Sequence, residues 1–231
     1  MIFAAGLGTR MRPITNTIPK PLVKVGGKAL LDHVLDECAQ SGITRAVVNV
    51  HYLPDQIEAH LKGRSTPQII ISDERALLLD QGGGIKKAAE HLEDAFFVAN
   101  TDAFWIEGPT SNIARLRAIW DPDRMDALLL VASTSTSIGV DWSGDFHMDQ
   151  DGRLTRRDET DVAAFVYSGF GILKRDPFAQ DERDVFRLAP FLFEAAEKGR
   201  LFGLRLDGLW LHVGTPQAIE EAERALERSA I

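Results

Sequence analysis

A single cysteine, Cys38, occurs in the chain, so no intrachain disulfide can form and a cytoplasmic location is expected. It recurs with Leu35, Ala39 and Ile43 at helical spacing, which predicts a buried core thiol rather than a nucleophile. No apolar run approaches the ~18 residues that a helix needs to cross a bilayer, and no signal-peptide pattern stands at the start, so a membrane is not expected as a partner. Positive charge is scarce. The 26 lysines and arginines against 34 aspartates and glutamates leave a formal charge of −8, which excludes general nucleic-acid binding, because a binder of phosphate backbones needs a basic surface to release counterions. Both common nucleotide fingerprints are missing as well. The one glycine-rich turn near the start is not followed by Gly-Lys-Ser/Thr, and it lacks the third glycine of a dinucleotide site.

What is present is concentrated at the start, MIFAAGLGTRMRPITNTIPKPLVKV. Met1, Ile2, Phe3 and Ala4 form a short apolar run suited to a buried parallel strand. Ala5-Gly6-Leu7-Gly8-Thr9 follows with glycines that let backbone N–H groups approach a phosphate chain closely. Arg10, Arg12, Lys20 and Lys24 then set positive charge beside that turn, and Pro13, Pro19 and Pro21 stiffen the intervening chain. An anionic ligand is the expected partner of this local exception in an acidic chain.

The combination Gly6-x-Gly8-Thr9-Arg10-x-Arg12-Pro13 followed by Pro19-Lys20-Pro21-Leu22 resembles the signature of the sugar-1-phosphate nucleotidyltransferases. That resemblance implies an α/β fold, a Rossmann-like, doubly wound mixed sheet of the nucleotide-diphospho-sugar transferase or GT-A-like type. It implies one domain over residues 1–231, with a nucleotide-binding half (1–103) and a sugar-phosphate-binding half (104–231). Its implied partners are a nucleoside triphosphate, UTP foremost, and a sugar 1-phosphate, in a monomer or homodimer. GTP with mannose 1-phosphate and dTTP with glucose 1-phosphate are the alternatives, as is a regulatory protein that binds nucleotide-sugars without turning them over.

The pattern along the chain agrees with such a fold. Strands are predicted over 45–51, 68–72 and 95–99 and helices over 29–40, 55–61 and 85–92, an alternation that makes a doubly wound parallel sheet. Further on, 112–120 reads as a helix, 126–132 as a strand, and 146–148 with 153–155 as a hairpin around Asp151-Gly152. A strand over 163–173 is interrupted by Gly169 and Gly171, a helix covers 186–198, a hairpin turns at Asp207-Gly208 between 201–206 and 209–213, and a last helix runs over 217–229. Ligands of such sheets sit beyond the carboxyl ends of the strands, where the glycine turn and Asp102 both fall.

The resemblance also implies roles. Ala4, Ala5, Gly6, Gly8, Thr9 and Arg10 would bind the nucleotide with Gln81, Gly82 and Gly83 of the run Glu74-x-x-x-x-Leu79-x-Gln81-Gly82-Gly83-Gly84, which in the family touches the base and ribose. Arg10 and Lys20 would be catalytic. Lys20, Asn100, Tyr167, Ser168 and Gly169 would hold the sugar phosphate. Asp102 would bind Mg2+. The segment 209–216, LWLHVGTP, resembles the family's closing W-x-D-x-G-T but carries His212 where a second carboxylate is expected. Imidazole suits Mn2+ or Co2+ better than Mg2+, so His212, Asp207, Asp141 or water remain the candidates for the second ligand. The lysine that holds the sugar phosphate in the family has no counterpart here; Arg153, Arg156 and Arg157 are the cations nearest to its place.

Overall fold

A computed structural model describes residues 1–229; residues 230 and 231, the end of the expected domain, lie outside the described residues. The amino-terminal half comprises β1 (Ile2–Phe3), the small antiparallel pair β2 (Lys24–Val25) and β3 (Lys28–Ala29), α1 (Leu30–Gln40), β4 (Arg45–Val50), α2 (Pro54–Leu61), β5 (Gln68–Asp73), α3 (Asp80–Ala88) and β6 (Ala95–Asn100). The rest comprises β7 (Ala103–Glu107), α4 (Asn112–Ile119), β8 (Ala127–Ser133), β9 (Phe146–Met148), β10 (Leu154–Arg156), β11 (Phe165–Lys174), α5 (Asp176–Ala179), α6 (Ala189–Glu197), β12 (Leu201–Arg205), β13 (Gly208–His212) and α7 (Pro216–Ser229).

Among the described residues, nine strands share one sheet. Its main path is β10-β9-β11-β6-β1-β4-β5, and β8 and β12 continue from β11. β6, β1, β4 and β5 run parallel, as the strand-helix alternation predicts, while β11 runs antiparallel to β6 and β8, so the sheet is mixed. Burial on both faces explains the composition. In β8, Leu128 and Leu130 join one core with Leu31, Leu35, Val48 and Ile57, and the alternate residues Leu129 and Val131 join the opposite core with Ile85, Val98 and Phe178.

Three departures from the sequence-based expectation bear on the site. The helix expected at residue 85 starts at Asp80 and takes in all three glycines. Their lack of side chains serves packing: a Cβ on Gly82 would lie 2.8 Å from the Phe186 carbonyl oxygen, one on Gly83 would overlap the Asp184 carbonyl, and one on Gly84 would lie 2.8 Å from a Glu74 carboxylate oxygen. β7 is a strand that the alternation did not reveal, because only Thr101 and Asp102 separate it from β6. The expected hairpin at Asp207-Gly208 is absent. β12 pairs parallel with β8 in the main sheet, whereas β13 leaves it to pair antiparallel with β7. Gly208, at a φ of 114°, allows that switch, since a side chain there would overlap the Ile106 carbonyl.

Candidate active site

Beyond the carboxyl ends of β1, β4, β5 and β6 lies a cleft of about 370 Å3, within the usual range for a small-molecule site. Its walls bring together Ala5, Gly6, Gly8, Thr9, Arg10, Lys20, Gln81, Asn100 and Asp102. A larger hollow of 660 Å3 lies at the opposite ends of the same strands, lined by Met1, Cys38, Ala46, Phe97 and other residues. The first is the candidate site, because the parallel strands, the loops between elements and the convergent charges all open there.

The glycine turn is shaped by both local and distant contacts. Gly8 has a φ of 63°, and a Cβ there would lie 3.0 Å from that of Lys20. Its carbonyl accepts from the Thr15 hydroxyl at 2.7 Å and from the Met11 N–H at 3.0 Å, which curls residues 9–11 into a short 3₁₀ turn. Gly6 is the opposite case. It is exposed, and a Cβ on it would meet nothing within 4 Å, so no part of the described chain fills the space beside it. Arg10 is exposed beside the turn and forms no ion pair among the described residues.

The charged centre forms where β6 passes into β7. The Thr101 hydroxyl donates to the Phe3 carbonyl at 2.8 Å, and the Val213 N–H donates to the Asp102 carbonyl at 2.7 Å, which fixes Asp102 between β1 and the end of β13. Lys20 Nζ lies 3.1 Å from Asp102 Oδ2, and His212 Nε2 lies 3.8 Å from the same oxygen. Burial alone would raise the Asp102 carboxyl. A hydrogen bond from His212 in its doubly protonated, imidazolium form and the charge of the Lys20 ammonium instead hold it well below the usual carboxylate range.

His212 Nδ1 is 3.1 Å from the Gly139 carbonyl, which can only accept, so Nδ1 carries the proton. In the neutral ring Nε2 therefore turns a lone pair toward an ionised carboxylate. Two electron-pair donors thus face each other across 3.8 Å, and among the described residues no group of three or more His, Cys, Asp or Glu side chains is arranged to hold a metal ion by itself. His212 is braced by aromatic rings as well, stacked on Trp210 at 5.7 Å and edge-on to Trp142 at 5.4 Å. A smaller hollow of about 250 Å3 shares Arg10 with the cleft and is lined by Asp141, His212 and Thr215.

Several expected site residues lie elsewhere. The Ala4 N–H donates to Asn49 Oδ1 at 2.8 Å, and Ala4 is 1% exposed, so it supports the turn from below. Gly82 and Gly83 both donate to the Phe186 carbonyl, at 2.9 and 3.2 Å, and neither reaches the cleft. Glu74 does line the cleft, but its carboxylate accepts from Asn49 Nδ2 at 2.8 Å and from the Leu79 N–H at 3.2 Å. Burial pushes its pKa up against the lowering effect of those donors.

Tyr167, Ser168 and Gly169 sit in a β-bulge of β11 outside the cleft. Gly169, at a φ of 82°, makes room for Asn100, whose Cβ would be 2.8 Å from an added one. The Ser168 hydroxyl accepts from the Phe170 N–H at 3.3 Å, and burial raises the pKa of the Tyr167 phenol. The three arginines considered for the sugar phosphate are engaged around β9 and β10. Arg153 pairs with Asp151 at 2.8 Å, Arg156 lies over Phe193 at 4.2 Å, and Arg157 donates to the carbonyls of Gly144, Asp158, Glu159 and Asp161. Asp207 stands by Gly108 at the far end of β13 from His212, too distant to share a metal with Asp102. Cys38 is buried in the core, as its spacing predicts, and burial raises its thiol to about 11.

Asn49, whose side chain spans from the turn to Glu74, went unread in the sequence. Its signal was there: one amide in the otherwise apolar run Ala46-Val47-Val48-Asn49-Val50 has to satisfy its polar atoms somewhere.

Comparison with known proteins shows the family and the fold. The family model described as nucleotidyl transferase matches residues 1–119. N-acetylmuramate alpha-1-phosphate uridylyltransferase of Caulobacter vibrioides is 46% identical, with 98% of this chain and 96% of that one covered. The protein of the same name from Neisseria meningitidis serogroup B is 34% identical, with 96% of each covered. Among solved structures, HddC from Yersinia pseudotuberculosis complexed with GMP-PN has the same fold, at a TM-score of 0.74, 22% identity and 97% coverage of both chains. From its opening turn to its last helix, the chain belongs to the nucleotidyl transferase family.

Proposed function

We propose that the protein transfers a uridylyl group from UTP to N-acetylmuramate 1-phosphate, giving the UDP-sugar and pyrophosphate. The observation that carries this reading is 46% identity across almost the whole length of the Caulobacter enzyme of that name, together with a cleft that gathers Gly6, Gly8, Arg10, Lys20 and Asp102. An oxygen of the sugar phosphate forms a bond to the α-phosphorus while the bond from that phosphorus to the bridging oxygen breaks, and the electron pair leaves with pyrophosphate. Both partners are anions, so the catalytic task is positioning and charge neutralisation.

The chain's own groups suit each part of that task. N–H groups of the turn at Gly6 and Gly8 cradle the β- and γ-phosphates, and the exposed Arg10 fork grips the departing pyrophosphate through two oxygens. Lys20, a mobile point charge, leaves Asp102 to bridge the attacking phosphate and the α-phosphate. Gln81, which donates to Asn100 Oδ1 at 2.9 Å, fixes the edge of the cleft that faces the base and sugar. Asp102 and His212 Nε2 would hold a divalent cation, Mg2+ in the first place, with Mn2+ or Co2+ accepting imidazole more readily. When bound, that ion supplies the positive charge that lets two phosphates approach.

Pyrophosphate release from UTP, GTP and dTTP, each with the 1-phosphates of N-acetylmuramate, mannose and glucose, tests the reading. The expected result is the highest kcat/KM for UTP with N-acetylmuramate 1-phosphate, by at least about tenfold. A higher value for another pair overturns the substrate assignment. Binding without release from any pair overturns catalysis and leaves a regulatory nucleotide-sugar binder.

A further inference from the structure

We propose that Asn49 and Glu74 form a buried relay that positions the phosphate turn and the base-facing loop relative to each other, and so sets affinity for the nucleotide. The proposal rests on the reading of the cleft as a nucleoside triphosphate site. Three hydrogen bonds make the relay: Ala4 N–H to Asn49 Oδ1 at 2.8 Å, Asn49 Nδ2 to Glu74 Oε1 at 2.8 Å, and Leu79 N–H to Glu74 Oε2 at 3.2 Å. One end is the residue that enters the glycine turn. The other is the residue before Asp80 and Gln81, which line the cleft.

Both side chains are almost sealed, Asn49 at 3% and Glu74 at 1% exposed. Sealed polar groups hold their partners tightly, because an unmade bond there is not replaced by water. Gly84 belongs to the same device: an added Cβ would lie 2.8 Å from Glu74 Oε1 and 3.1 Å from Asn49 Nδ2, so only glycine leaves the relay its place. The two loops it joins come from β1 and β5, which are not neighbours in the sheet; β4, which carries Asn49, lies between them. The sheet alone sets the strands but leaves both loop tips free to drift, and the relay removes that freedom before the ligand arrives.

The polarity of the relay supplies its test. Glu74 accepts twice, while Asn49 accepts once and donates once. In Glu74→Gln the new amide turns an N–H toward either Asn49 Nδ2 or the Leu79 N–H, and in Asn49→Asp two carboxylates face each other; each single variant loses one bond. In Asn49→Asp with Glu74→Gln, Asp accepts from Ala4 and from the Gln amide, and the Gln carbonyl accepts from Leu79, so all three bonds return with the middle one reversed.

Calorimetric binding of UTP, GTP and dTTP to the four proteins, with kcat and both Michaelis constants, reads the effect. Each single variant is expected to weaken nucleotide binding about tenfold, with the sugar 1-phosphate KM within about twofold of the wild type and affinity restored in the double variant to within about threefold. Single variants that bind like the wild type, or a double variant as weak as the single ones, overturn the relay while the cleft assignment stands. A wild type that binds none of the three nucleotides overturns both. Should a single variant fail to fold, the swapped pair decides: recovery of fold and affinity supports the relay, and a swapped pair that is unfolded or weak overturns it.

Discussion

Lys20 Nζ and Asp102 Oδ2 lie 3.1 Å apart, so the lysine proposed to bridge the two phosphates rests on the carboxylate proposed to hold the cation. The pair keeps two opposite charges satisfied in a partly enclosed cleft, and the proposed reaction requires it to open. Lys20→Ala is expected to lower kcat by two orders of magnitude or more, about 3 kcal/mol of transition-state stabilisation, with UTP affinity changed by less than about fivefold. Calorimetry beside single-turnover kinetics measures both. Near-normal turnover in the variant would remove Lys20 from catalysis.

Asp102→Asn keeps the shape of the side chain and removes its charge. Metal-dependent turnover is expected to vanish at any Mg2+ concentration, while the melting temperature stays within about 4 °C of wild type, the shift that ~1 kcal/mol produces in a chain of this length. Activity restored by saturating Mg2+ would contradict ligation. A collapse of the melting temperature would make the loss structural.

His212→Asp converts a mixed oxygen and nitrogen site into one of oxygen alone. If Nε2 ligates the ion, the activation constant for Mg2+ should fall at least about threefold and the preference for Mn2+ over Mg2+ should shrink. Titration of both metals in both proteins gives the answer. An unchanged activation constant, with an altered KM for the sugar phosphate, would leave His212 as a packing group between Trp142 and Trp210.

Two glycine substitutions separate ligand contact from packing. Gly6→Ala adds a methyl where nothing lies within 4 Å, so its melting temperature should stay within about 2 °C of wild type while the KM for UTP rises about tenfold. Gly83→Ala drives a methyl into the Asp184 carbonyl, and a loss of about 5 °C or more is expected from the overpacking. Equal effects of the two substitutions would contradict the distinction.

Glu37, on α1, is pushed up to about 7 by burial and by the Glu107 carboxyl beside it, against the pull of Lys28. Its folded pKa thus exceeds the ~4.3 of an unfolded glutamate, and between those values the folded state holds a proton that the unfolded state has lost. Stability must fall as pH rises through that window. Glu37→Gln should remove the fall, leaving the variant about 3 °C above wild type at pH 8, allowing for partial exposure, with a smaller difference at pH 5. Melting curves from pH 4.5 to 8 check this, and parallel profiles would refute it.

Local chemistry made a good part of the molecule legible in the sequence. The run Ile2-Phe3, the turn through Gly6 and Gly8, the helical spacing of Leu31, Val34, Leu35 and Cys38, and the apolar strands β4, β5, β6 and β8 each act through near neighbours, so residue order dictates them. The carboxyl-end position of Asp102 follows from that alternation, and the motif around Arg10 and Lys20 needed no tertiary information. The tertiary structure decided what depends on distant partners. Gly82 and Gly83 read as room for a base, yet the room is taken by Asp184 and Phe186, a hundred residues later in the chain. The expected hairpin gave way because β12 buries Leu201, Phe202 and Gly203 beside β8, and β7 captures β13, which sets His212 against Asp102. Asn49 and Glu74 meet only because β4 and β5 are neighbours in the sheet. A residue's own chemistry and spacing determine what it can do; which partner it meets across the fold is settled by burial and close packing, and these act on the whole chain at once.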